Sequence, residues 1–146
     1  MTDLSATTDP LTDRTGYDPA FLGPEVPVPR LATPDATVLL DYLHYSVLFR
    51  PDRRFAAVTA LGIDGAKLVQ IDRHSDRWLF DPRLPAEQQA GRAIYEGNDL
   101  DRGHLVRRTS AVWGDSPEEA QRANDDTFYW ADAAPQAGAF NKGKAL

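Results

Sequence analysis

The sequence predicts an α+β fold built on an antiparallel β-sheet, and three observations lead there. Two apolar runs rich in β-formers, at residues 38–49 and 55–61, flank the polar turn Pro51-Asp52-Arg53-Arg54, as antiparallel neighbours do. The clearest helix start stands late, at Ser116-Pro117-Glu118-Glu119, with Ser as N-cap, Pro at the first helical position and Glu three residues after the cap. Residues 100–106 are short enough for a strand or hairpin arm, and the apolar run at residues 128–131 is also strand-sized rather than helix-sized. Together these favour strands packed with a few helices around one core.

Taken in order, residues 1–34 are rich in Pro, Thr, Asp and Gly and show no sustained periodicity, so they are expected to form an extended or disordered N-terminal arm. The folded domain is expected over residues 35–146. The run at residues 38–49 is expected as one strand and residues 55–61 as its antiparallel partner. Ile63-Asp64-Gly65-Ala66 suggests a turn, and Lys67-Leu68-Val69-Gln70-Ile71 a short edge strand. Pro82 and Pro85 break up an irregular connection before a short helix at residues 86–90, and Tyr95-Glu96-Gly97-Asn98 has turn character. Residues 100–106 form a strand or hairpin arm, the helix opened by Ser116 runs to about Asp125, and Phe128-Tyr129-Trp130-Ala131 is expected as a buried strand ended by Ala134-Pro135-Gln136.

Composition narrows the chemistry. With 146 residues, 42% hydrophobic and 26% charged, the chain suits a single soluble domain. It has no cysteine, which excludes disulfides, thiolate metal sites and cysteine nucleophiles, so that any metal would be held by oxygen or imidazole nitrogen. The polar, acidic N-terminus lacks a basic segment followed by an apolar one, and no run approaches the ~20 apolar residues that span a bilayer. A cytoplasmic location and no membrane partner are the default expectations. The net charge of −6 argues against a general polyanion binder, so binding to phosphates would need local positive charge. Arginines do cluster, at Arg102, Arg107 and Arg108, and again at Arg73, Arg77 and Arg83.

Asp101-Arg102-Gly103-His104 brings an acceptor, a permanent cation, a flexible backbone position and a titratable imidazole within four residues. Phosphodiester hydrolysis needs such parts: a base that works near neutral pH, positive charge on the phosphate oxygens, and help for the leaving oxygen. Oxygen donors such as Asn141 and Asp132 could hold a divalent ion for that last task. Each residue also has a plainer reading. His104 fits a hydrogen-bonded structural histidine, Arg107 and Arg108 a solvated face, Asn141 a helix cap, and Trp113 and Trp130 core filling rather than base stacking.

The order of the pieces resembles the DNA/RNA non-specific endonuclease family, whose active site is a ββα-metal (His-Me) finger. The resemblance is carried by Asn98-Asp99-Leu100-Asp101-Arg102-Gly103-His104-Leu105, Trp113-Gly114, Ala123-Asn124-Asp125-Asp126-Thr127-Phe128-Tyr129, Ala133-Ala134-Pro135-Gln136 and Phe140-Asn141, and extends upstream to about Gly16. It implies that His104 is the general base, that Arg102 contacts phosphate, and that Asn141 is the direct ligand of hydrated Mg²⁺ or another divalent cation such as Mn²⁺. It also implies an upstream arginine that steadies the transition state, with Arg77 the nearest candidate and Arg73 the alternative. Arg107 and Arg108 would then bind substrate, and Asp132, where the family usually has Asn, would add charge near the metal. DNA and RNA are the implied substrates, and a homodimer is left open. The resemblance further implies a metal-proximal Glu about two turns beyond Asn141, past Leu146, so the ββα-metal finger is expected to be incomplete at the C-terminus. Two readings stay open: an endonuclease whose activity is weakened by that gap, and a noncatalytic nucleic-acid-binding module or gene fragment that retains the old site.

Overall fold

In the computed structural model, residues 9–33, 36–73 and 77–143 are described; residues 1–8 and Pro34 of the expected arm, and Leu146 at the chain end, lie outside the described residues. Among the described residues, two antiparallel sheets and three short α-helices make the α+β architecture that the sequence predicts. The larger sheet has the order β1 (Val38–Asp41), β2 (Tyr45–Arg50), β3 (Phe55–Leu61), and the smaller pairs β4 (Leu100–His104) with β5 (Ala133–Ala137). The helices are α1 (Arg108–Ala111), α2 (Pro117–Asp126) and α3 (Gly138–Asn141).

The run expected as one strand at residues 38–49 is two strands folded back on each other. Tyr42 N–H donates to Tyr45 O at 2.8 Å, and His44 takes a left-handed φ of 74°, which closes the turn between β1 and β2. A non-glycine residue there carries strain of about 1–2 kcal/mol. Tertiary contacts hold it in place: the imidazole stacks on Trp113 with centroids 3.5 Å apart, Nδ1 lies 3.0 Å from Ala111 O, and Nε2 lies 3.0 Å from Glu119 Oε1. Periodicity could not reveal that break, because apolar character continues straight through it. In β2 the inward residues Tyr45, Val47 and Phe49 alternate as a half-buried strand requires and form the main core with Leu40, Tyr42 and Tyr129.

Two further expectations are corrected. Residues 67–71 make only an isolated bridge from Leu68 to Trp113 rather than an edge strand, because their backbone finds no continuous partner among the described residues. Residues 128–131 form no strand either: Tyr129 makes one bridge to Leu79, and Trp130–Asp132 is a 3-10 turn. Aromatic packing, rather than ladder hydrogen bonds, explains the apolar run. Trp78 stacks on Trp130 at 5.5 Å and meets Phe128 edge-on at 5.3 Å, forming a second small core with Ala133. Trp113 is likewise a core residue, with its indole N–H donating to Gly62 O at 2.9 Å. The expected short helix at residues 86–90 is a 3-10 turn at Ala86–Gln88, while α2 starts as predicted, with Ser116 Oγ accepting from Glu119 N at 3.1 Å.

Residues 9–33 contain no strand or helix, yet they are fastened to the core. Leu11 is fully buried, and Arg14 makes a two-pronged pair with Asp126 at 2.7 and 3.0 Å. Asp126 also accepts from Leu43 N at 2.8 Å, so this one carboxylate ties the arm, the β1–β2 turn and the end of α2 together.

Candidate nuclease site

Strand β4 carries the Asp101-Arg102-Gly103-His104 cluster, and its pairing with β5 fixes where each side chain goes. The register sets Asp101 against Gln136, Arg102 against Pro135, Gly103 against Ala134 and His104 against Ala133. Alternation puts Arg102 and His104 on one face of the strand. Helix α3 follows β5 without a loop and delivers Asn141, so two antiparallel strands and a helix enclose the cluster as a ββα unit.

The glycine at position 103 leaves room for the Gln136 side chain from β5. A Cβ there would meet Gln136 Cδ at 2.1 Å and Cγ at 2.5 Å. The strand exit is anchored as well: Leu105 N–H donates to Asp132 O at 2.9 Å, and Val106 N–H donates to Asp132 Oδ1 at 2.7 Å. The imidazole of His104 is confined by rings, Trp78 at 4.8 Å and Phe128 edge-on at 5.1 Å. Such packing limits the ring to few orientations and presents it to the cleft at low entropic cost.

Arg102, His104, Arg107, Arg108, Gln136 and Asn141 are among the residues lining a cleft of ≈ 570 Å³, joined by Arg73 and Phe140. Of the residues singled out in the sequence, His104, Arg102, Arg107, Arg108 and Asn141 therefore converge. Their roles are not equal. Arg107 is exposed, whereas Arg108 is held by Ile71 O and Asn124 Oδ1, both at 3.0 Å, and builds the wall. Arg77 is exposed and borders neither this cleft nor its neighbour; Arg73 borders both, and its guanidinium lies 5.5 Å over the Phe128 ring. Of the two upstream arginines, Arg73 is therefore the one that borders the cleft.

Asp132 is corrected in the same way. Its side chain is fully buried, takes the Val106 N–H, and borders neither of the clefts that Asn141 lines. Burial pushes its carboxyl well above the usual carboxylate range, with the Val106 hydrogen bond opposing, so the site disfavours the added charge expected there. The oxygen that does join Asn141 belongs to Asp101. Asn141 Nδ2 donates to Asp101 Oδ2 at 3.2 Å, and Lys142 Nζ lies 3.4 Å from the same oxygen. With its amide nitrogen so occupied, Asn141 presents its carbonyl oxygen as the acceptor. Asp101 and Asn141 together are hard oxygen donors of the kind that suit Mg²⁺, which keeps most of its waters and needs one or two protein oxygens. No group of three or more His, Cys, Asp or Glu able to hold a metal occurs among the described residues.

Sequence reasoning missed Gln136 as the packing partner of Gly103, Asp101 as the partner of Asn141, and the cations Arg92 and Lys142 on the adjoining cleft. The flanking Gly103 was the available signal for the first, since a glycine inside a strand marks close approach. No helix is long and apolar enough to cross a membrane among the described residues.

Comparison with known proteins agrees with this geometry. A family model described as DNA/RNA non-specific endonuclease matches residues 23–146. An uncharacterized protein of Sinorhizobium fredii, y4fB, is 40% identical over 153 residues, covering 91% of this chain and 23% of its own length. Human mitochondrial endonuclease G is 35% identical over 71 residues, covering 49% of this chain and 22% of its own, and nuclease C1 of Cunninghamella echinulata is 34% identical over 73 residues, covering 49% and 27%. The chain thus spans only about a quarter of the length of these relatives, at 23%, 22% and 27%. A match that takes in most of the chain, around a ββα unit that gathers Arg102, His104 and Asn141 on one cleft, places this chain in the DNA/RNA non-specific endonuclease family.

Proposed function

We propose that this chain is a metal-dependent endonuclease that hydrolyses phosphodiester bonds in DNA and RNA without reading sequence. The observation that carries this reading is the convergence of His104, Arg102 and Asn141 on one cleft. His104 takes the proton of the attacking water, a task for which imidazole is suited near neutral pH. Arg102 holds the phosphate oxygens through parallel N–H donors, and Arg107 with Arg73 adds positive charge on the same walls. Asn141, braced by Asp101, would hold a hydrated Mg²⁺ or Mn²⁺, whose contribution is to stabilise charge on the leaving oxygen. Because the cleft meets its substrate with guanidinium groups, contacts fall on phosphate and carry no sequence information.

The test incubates the purified chain with plasmid DNA and with RNA, in Mg²⁺ or in EDTA, beside His104→Ala. Cleavage in Mg²⁺ should fall by about 10²–10⁴-fold in the variant, the usual contribution of a general base, and should vanish in EDTA. Wild type that cuts no faster than His104→Ala sinks the enzyme reading. Salt-dependent binding without cutting would replace it with a noncatalytic nucleic-acid-binding module.

A further inference from the structure

Beside the His104 cleft lies a second of ≈ 540 Å³, bordered by Arg92, Tyr95, Glu96, Asn98, Leu100 and Lys142 among others, and the two clefts share Arg73, Arg102 and Asn141. The two clefts therefore adjoin across these three residues. Most candidate contacts in the second cleft are already committed. Asn98 Oδ1 accepts from Leu100 N at 3.0 Å while its amide donates to Ile94 O at 2.9 Å. Tyr95 is stacked on Trp130 at 5.8 Å, and Trp78 is only 8% exposed, so neither ring offers an open platform for a base. What remains for a ligand is charge. Arg92 is 82% exposed and pairs with Glu96, itself 62% exposed, at 2.9 Å. An exposed pair of this kind on adjacent turns is worth little, so Arg92 can exchange the carboxylate for another anion at small cost.

We propose that this second cleft is a phosphate subsite for the nucleotide next to the scissile bond, with Arg92 as its cation and Glu96 as the carboxylate that phosphate displaces. The proposal rests on the nuclease reading and deepens it: the substrate is a strand with at least two phosphates in the groove, not an isolated phosphodiester. Contact through the backbone, with no open aromatic face, also makes the subsite indifferent to base identity.

The test uses the full chain with Arg92→Gln and Glu96→Gln, both at exposed positions outside the proposed catalytic set. A fluorescent single-stranded 12-mer is titrated in EDTA, where cutting does not interfere, and cleavage in Mg²⁺ is then compared on the 12-mer and on a dinucleotide with one phosphodiester. Arg92→Gln should weaken 12-mer binding about 3- to 10-fold and lower the slope of log Kd against log salt by about 1. On cleavage it should raise KM for the 12-mer at unchanged kcat and leave the dinucleotide unaffected. Glu96→Gln should do the opposite and tighten the 12-mer. Unchanged 12-mer binding in both variants, or an equal change on the dinucleotide, overturns the subsite while the nuclease reading stands. The expected binding shifts in a chain that never cuts would leave Arg92 as a phosphate contact of a binding groove but remove the nuclease reading, and with it the place of that contact beside a scissile bond.

Discussion

Replacing Asp132 by asparagine should stabilise the protein, by a margin that widens as pH rises. The carboxyl is 0% exposed, and burial holds its pKa well above the ordinary range. In the unfolded chain an aspartate ionises near ~3.9. Between that value and the folded one, the native state keeps a proton that the unfolded state has lost. Raising the pH therefore favours unfolding, at up to about 1.4 kcal/mol per pH unit. The stability linked to this proton is present in full below the unfolded value and is lost as pH climbs towards the folded one. Asparagine has the same shape, keeps an oxygen for the Val106 N–H and does not titrate. The variant and wild type should thus differ least near roughly pH 4 and diverge above it. Asp132→Leu separates charge from hydrogen bonding: it leaves the buried Val106 N–H without its 2.7 Å acceptor, a cost of about 1–3 kcal/mol that does not track this titration. Urea unfolding of the three proteins at roughly pH 4, 5.5 and 7 reads both effects. A wild-type-to-asparagine gap that is flat across pH, or that favours aspartate at pH 7, refutes the reasoning.

Two other substitutions probe how the site is built and braced. Gly103→Ala puts a Cβ 2.1 Å from Gln136 Cδ, so the Gln136 side chain must leave its place or β4 and β5 must part; a loss of about 1–3 kcal/mol is expected, with slower cleavage at saturating substrate, and a thermal melt no lower than wild type would contradict the packing. Arg14→Ala strips the partner from Asp126, which is 2% exposed, and should cost about 3–5 kcal/mol; a variant within experimental error of wild type in denaturant unfolding would show that the arm is dispensable for the fold.

The parts legible in the sequence are those whose signal is local. Ser116 and Pro117 announce α2 because capping chemistry sits within four residues, and Asp101-Arg102-Gly103-His104 announces the site because β4 is one short strand. What escaped depends on contacts distant in sequence. The turn at His44 needs Trp113 and Glu119, some 70 and 75 positions away, to hold a left-handed residue that no propensity favours. Residues 128–131 looked like a strand because aromatic side chains suit strands, but here they pack on Trp78 and His104 while their backbone turns. Arg73 and Arg77 are equivalent on paper; only the fold puts Arg73, and not Arg77, on the cleft.

The charge balance was misleading for the same reason. A net charge of −6 suggests a surface that repels phosphate, yet the acids are unevenly employed. Asp126 is paired with Arg14 and Asp81 with Arg83, both carboxylates lying inside the protein, and burial disfavours the charge that the formal count assigns to Asp132. The groove, by contrast, holds Arg73, Arg92, Arg102, Arg107 and Lys142 against Asp101 and Glu96, with Arg108 built into its wall. At physiological salt, fields between exposed charges die away over about 8 Å, so a phosphate entering the groove is governed by its walls rather than by the whole-chain sum. Binding of polynucleotide should therefore weaken steeply as salt is raised despite the acidic pI of about 4.9, since each phosphate taken up by a groove cation releases counterions from the strand.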